Sequence, residues 1–141
     1  MKVLCSGDRH WHDPKLVRAV LERLPPGSII VHGDQGSPDD VPLEEMAGLD
    51  RIAGRVATSL GFEVRPYPAD WQRGGIKAGP IRNKNMLKAE EPDLVYAFHD
   101  DIQASRGTKN LIEAALDKHI PITLFSHAQP DGLLVRAPLW H

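Results

Sequence analysis

Short apolar runs alternate along the chain with longer stretches in which apolar residues recur every three or four positions. The first kind of pattern belongs to buried strands and the second to helices with one covered face. Runs at 2–6 (KVLCS), 29–32 (IIVH), 62–68 (FEVRPYP), 93–98 (DLVYAF) and 120–125 (IPITLF) predict five strands. Pro66 suits the third of these to a sheet edge, where a missing N–H costs no ladder bond. Helices are predicted over 14–24, 49–60, about 80–88, and 107–119. Asp13 can cap the first and Pro14 can open it, while Gly61 stops the second. Strand and helix alternate throughout. The expectation is therefore an α/β fold, a Rossmann-like doubly wound parallel sheet of order 3-2-1-4-5, in one domain over residues 1–125. Residues 126–141 form a tail with no readable pattern.

In such a sheet, ligands bind beyond the carboxyl ends of the strands, where the strand order reverses. Four loops leave that edge: GDRHWHD after strand one, GDQGSPDDVPLEEMAGLD after strand two, ADWQRGGIKAGP after strand three, and HDDIQASRGT after strand four. The helices behind them turn unpaired N–H groups and partial positive charge toward the same crevice, which favours an anionic ligand. The third loop is rich in glycine, and Gly74, Gly75 and Gly79 let backbone approach a ligand before Pro80 starts a helix presenting Arg82 and Asn83. The Arg82 guanidinium, a two-pronged donor, matches phosphate; the plain alternative is a solvated arginine at a helix start. Ser105, Arg106, Gly107 and Thr108 form a second candidate anion nest, or an ordinary helix cap. Residues 37–48 are acidic and contain prolines, and read as an insertion or lid.

Charge narrows the partners. Seventeen Lys and Arg stand against 19 Asp and Glu, so no overall basic field draws the chain to nucleic acid or an anionic membrane. Cys5 is the one cysteine, which leaves no internal disulfide and suggests a buried thiol in the first strand. With no leader and no apolar run long enough to span a bilayer, the chain reads as cytoplasmic, and a homo-oligomer is left open. No cofactor is expected.

The ordered set SGDR at 6–9, HGDQG with GLDRIA at 48–53, YPADW, AGPIRNKNM, and AFHDD followed by SRGT resembles the YspA, or YpsA-related, branch of the SLOG superfamily over roughly residues 2–123. Its relatives include Lonely Guy phosphoribohydrolases and the DNA-processing protein DprA. The resemblance implies a Rossmann-like fold and a nucleotide-derived ligand, with ligand contacts from Ser6, Gly7, Arg9, Gly33, Asp34 and Gly36. Arg82, Asn83 and Met86 are similar to the Arg-Lys-x-x-Met element of the phosphoribohydrolases, with asparagine in place of lysine. SRGT is similar to their PGGxGTxxE loop, but Leu111 stands where that loop has its glutamate, and Glu113 lies on another helical face.

N-glycoside hydrolysis needs a carboxylate for water or for the oxocarbenium, and help for the departing base. The candidates are Asp100 and Asp101 at the end of strand four, and Asp70 beside Trp71, whose ring offers a stacking face for a base. Asp50 either meets a ribose hydroxyl or caps the second helix. A non-catalytic module that senses or sequesters a nucleotide signal is the second function class. The third is a metal-dependent phosphoesterase built on Asp8, His10 and His12, which lacks the aspartate and the Asn-His pair that such enzymes need further along; Trp11 and His12 more simply frame a loop.

Overall fold

Strand β1 (Lys2–Gly7) lies inside the sheet because its residues suit burial on both sides: Val3 and Cys5 enter one apolar core and Leu4 the other. A parallel strand covered by helices on both faces needs this near-continuous apolar pattern. The chain is described by a computed structural model over residues 1–138 and Trp140; residues 139 and 141 of the expected tail lie outside the described residues. Strands β2 (Ile29–His32), β3 (Glu63–Pro66), β4 (Leu94–Phe98) and β5 (Ile122–Phe125) pair in parallel, in the order β3-β2-β1-β4-β5. This is the Rossmann-like doubly wound α/β sheet that the pattern predicts. A sixth strand, β6 (Leu133–Val135), adds antiparallel to β5, in the stretch read from sequence as a tail.

Helices α1 (Pro14–Leu21) and α2 (Leu49–Ser59) cover one face, burying Val17, Val20 and Leu21 with Ile52, Ala53 and Val56. Asp13 caps α1 as expected, accepting from the Lys15 N–H at 3.0 Å. α1 ends three residues before the predicted boundary because Arg23 and Leu24 tighten into i−3 bonds ahead of the Pro25-Pro26 pair. The other face carries α4 (Ala78–Glu90) and α5 (Gly107–Asp117), which bury Met86 and Leu87 with Leu111, Ile112 and Ala115.

Two segments differ from their sequence reading. The glycine-rich stretch is not an open loop: Asp70 caps a single helical turn, α3 (Trp71–Gly74), and a 3-10 turn at Gly75–Lys77 leads straight into α4. Gly75, at φ +54°, breaks the two turns apart. α4 begins two residues before Pro80, which is tolerated because the first N–H groups of a helix have no partner inside it.

Residues 37–48 are pinned rather than lid-like. Ser37 and Ala47 bond at both ends of the loop, Arg51 and Arg55 of α2 donate to the Ser37 and Val41 carbonyls at 3.2 Å each, and Met46 is buried in the core. Cys5 is buried, and burial pushes its thiol pKa up, as an inert core residue requires. Among the described residues no helix is long and apolar enough to cross a membrane.

Candidate functional site

The strand order reverses between β1 and β4, and the loops at that carboxyl edge are joined by a chain of contacts. The Gly48 N–H donates to the Trp11 carbonyl at 2.8 Å and the Tyr67 N–H to the His32 carbonyl at 2.8 Å, so the loops after β1, β2 and β3 are tied to one another. Three groups of side chains occupy this edge.

The first is a buried knot beside the end of β2. Arg82, in the first part of α4, donates through Nη1 to the carbonyls of Gly33 and, at 3.2 Å, Tyr67, and through Nε to Asn83 Oδ1 at 2.9 Å. Its Nη2 makes no hydrogen bond among the described residues and is not wholly sealed from solvent. A methyl at Gly33 would come within 2.5 Å of Arg82 Nη1 and 2.9 Å of Asp50 Oδ2, so both side-chain ends would have to shift to admit it.

Asp50 does not cap α2, whose N-cap is Gly48; it is buried, and its Oδ2 accepts from the Gln35 N–H at 3.3 Å. Burial raises its carboxyl to about 7 against the pull of the Arg82 cation. Next to it, His32 is buried with Nδ1 accepting from the Asp34 N–H at 2.9 Å, and burial lowers its pKa to about 4. Asp34, at φ +61°, turns outward to an ion pair with Arg51 at 3.2 Å.

The second group joins α4 to α5. Asn83, buried, donates to Asn110 Oδ1 at 3.1 Å and to the Gly107 carbonyl at 3.4 Å. Ser105, one residue before the α5 N-cap Arg106, accepts from the Thr108 N–H at 3.0 Å, and Thr108 is buried. Gly107 has no Cβ obstruction and an ordinary backbone, and faces open space at the helix N-terminus. Leu111 is fully buried among Met86, Val95 and Ile112, and Glu113 instead accepts from Trp140 Nε1 at 2.9 Å.

The third group brings the predicted Asp100 together with Asp13 and Trp11 around His127, which the sequence reading did not single out. His127, in the loop after β5, places Nδ1 2.7 Å from Asp100 Oδ2 and Nε2 2.8 Å from Asp13 Oδ2. The backbone N–H of His127 donates to Asp100 Oδ1 at 2.7 Å, so one carboxylate grips both ring and main chain. The imidazole stacks on Trp11, centroids 4.8 Å apart and planes 13° from parallel. Trp11 is itself buried, with Nε1 donating to the Asp13 carbonyl at 2.8 Å. The Asp100 carboxylate, then that of Asp13, holds the imidazolium above its ordinary pKa.

The remaining predicted site residues fall outside these groups. Asp101 is exposed and its N–H donates to His99 Nδ1 at 3.0 Å. Asp70 serves α3, and the half-exposed Trp71 lies over Gly79, where a methyl would meet its ring at 3.3 Å. Ser6 pairs with Ala97 inside the sheet, and Gly7 gives way to the Phe98 carbonyl and the Leu49 side chain. Gly36 packs against Gly48, and Arg106 is exposed. Arg9 is exposed with Nε 3.3 Å from His10 Nε2. Asp8 accepts from the His10 N–H, His12 faces the His10 carbonyl, and among the described residues no three His, Cys, Asp or Glu side chains converge as a metal site. A cleft of about 280 Å³ opens against the first group, between α2 and the edge strand β3, lined by His32, Asp34, Arg51, Arg55 and Thr58.

No protein-family model matches the chain. Over 130 residues it is 34% identical to the Gene 61 protein of Mycobacterium phage D29, an alignment spanning 88% of this chain and 95% of that protein. The chain belongs to the family of that phage protein. Among solved structures, a UDP-GlcNAc 2-epimerase from Neisseria meningitidis bound to UDP-GlcNAc has a similar fold, with a TM-score of 0.51 and 16% identity over 89% of this chain. The chain spans 32% of that enzyme's length, about a third.

Proposed function

We propose that this chain binds a nucleotide-derived ligand across the carboxyl edge of the sheet, as the resemblance to the SLOG superfamily implies. The observation that carries the reading is the pairing of Arg82 with the start of α5 through Asn83: a guanidinium fixed at three points, with Nη2 left over, beside a helix N-terminus whose Gly107 opens to solvent. Both are phosphate-recognition elements, and a fixed guanidinium loses little entropy on binding. Trp71, half-exposed over Gly79 at the start of α4, offers a face for the base.

Hydrolysis of the N-glycosidic bond is the sharper reading. A sensor or sequestering module is the alternative, favoured by one observation: Leu111, at the position of the phosphoribohydrolase glutamate, is sealed in the core. The arrangement of Asp8, His10 and His12 supports a metal-dependent phosphoesterase less well, since their polar atoms serve their own loop.

Calorimetry with the four ribonucleoside 5′-monophosphates and the matching nucleosides tests the binding reading. Arg82→Lys keeps the charge and loses the fork, so the monophosphate that binds should lose about 10- to 100-fold in affinity while its nucleoside loses far less. The comparison within one variant cancels any general loosening of the knot. Equal losses for both ligands, or no monophosphate binding by the wild type, would overturn the proposal.

A further inference from the structure

We propose that His127, oriented by Asp100 and stacked on Trp11, is a proton donor to the ligand bound at this edge. The inference rests on the nucleotide reading above and adds a chemical role that the Arg82 knot does not supply.

The arrangement is more constrained than stability explains. An exposed ion pair contributes at most about 1 kcal/mol, yet this half-exposed ring is held at Nδ1, at its own backbone N–H, across its face by a buried indole, and at Nε2. Each restraint removes a way for the ring to turn, which is what a proton-transfer group needs. The two carboxylates differ in kind. Asp100 uses both oxygens on His127, so its loss frees backbone and ring together. Asp13 lends only Oδ2, because Oδ1 caps α1, and the Nε2 contact can therefore be exchanged for a ligand atom without disturbing a backbone tie.

The charged and titratable groups facing the ring are Asp13 from the start of α1 and Asp100 after β4; His99 acts on Asp100 from behind. The site stands at the β1–β4 reversal, where this fold receives ligands.

The bond from the anomeric carbon to the base nitrogen breaks, and its electron pair stays on the base, which takes the proton from His127 Nε2. A water oxygen bonds to the anomeric carbon and releases a proton to solvent, and the half-exposed ring regains one from solvent. The products are a free base and a ribose phosphate.

The test incubates the wild-type chain with each ribonucleoside 5′-monophosphate and follows free base by chromatography, with binding measured separately by calorimetry. His127→Gln should lower base release by about 100-fold or more while leaving binding within about twofold. Asp100→Asn removes the carboxylate that favours the imidazolium, so the fall of the rate at alkaline pH should move to lower pH, a shift that a merely structural role does not produce. Binding without base release, release by His127→Gln at the wild-type rate, or an Asp100→Asn profile that does not move would each overturn the role of His127 while leaving the binding reading intact. Absence of monophosphate binding by the wild type would overturn both.

Discussion

Replacing Asp50 by asparagine should expose a pH dependence of stability that the wild type conceals. Burial raises the Asp50 carboxyl from 3.8 to about 7, so between those values the folded state holds a proton that the unfolded state has lost. Its contribution to stability is then complete below pH 3.8 and is lost as pH rises toward 7, by about 1.4 kcal/mol per pH unit. His32 works in the opposite direction. Its pKa falls from 6.5 to about 4 on folding, so between those values the unfolded state binds the extra proton and stability grows with pH at the same rate.

The two slopes cancel over about pH 4.5–6.5. The other perturbed carboxylates and His127 act outside that window: Glu90, where hydrogen bonds from Tyr67, Arg65 and Lys2 outweigh burial, is lowered to about 2, Asp13 and Asp100 are lowered, and His127 is raised. Asparagine imitates the protonated carboxyl and can still accept from the Gln35 N–H, so the folded knot is little changed in this window. Urea denaturation at half-unit pH steps should give a flat wild-type profile and an Asp50→Asn profile that climbs by about 2 kcal/mol from pH 4.5 to 6.5. By pH 8 the variant should be the more stable by about 4 kcal/mol, the free energy that corresponds to the rise from 3.8 to about 7. A variant profile that stays flat would mean that Asp50 is not buried as a neutral acid.

Gly33→Ala drives a methyl into the Arg82 guanidinium and the Asp50 carboxylate and should destabilise by about 1–3 kcal/mol in the same assay; an unchanged midpoint would show that Arg82 does not lie across Gly33. Leu111→Glu places a carboxylate in the core facing Met86 and Val95 and should cost about 3–5 kcal/mol, easing as pH falls and the acid is neutralised; a variant as stable as wild type at pH 7 would put residue 111 at the surface.

What sequence could show is whatever depends on neighbours along the chain. The Asp13-Pro14 start of α1, the alternation of strand and helix, and the delivery of four loops to one edge all rest on local spacing. β6 escaped because three residues with two exposed leucines carry no period, and only pairing with β5 makes them a strand. Residues 37–48 looked like a lid because their own composition is polar. The groups that pin them, Arg51 and Arg55, sit 14 positions from the carbonyls they hold at Ser37 and Val41. Arg82 was legible as a guanidinium at a helix start, but the carbonyl of Gly33, 49 positions away, leaves no mark in sequence. His127 is the extreme case, since its partners lie 27 and 114 positions away and its own loop reads as featureless.

The two strands that flank β1 end in the same device and send their carboxylates in different directions. His32 and His99 each stop a strand with Nδ1 accepting from the N–H two residues on, which holds the intervening turn and presents an aspartate at the edge. After β2 the turn is largely buried: Asp34 turns out to Arg51, while Asp50 accepts from the Gln35 N–H and Arg82 donates to the Gly33 carbonyl, both tied to backbone. After β4 the turn is exposed, and Asp100 holds the His127 ring, whose far nitrogen meets Asp13 Oδ2. Rigid, backbone-tied donors suit recognition of a fixed anion, whereas an exposed, oriented imidazolium suits proton exchange. On the proposed reading, holding and chemistry divide on either side of β1, and a ligand long enough to carry both a phosphate and a departing base is the kind that can use both.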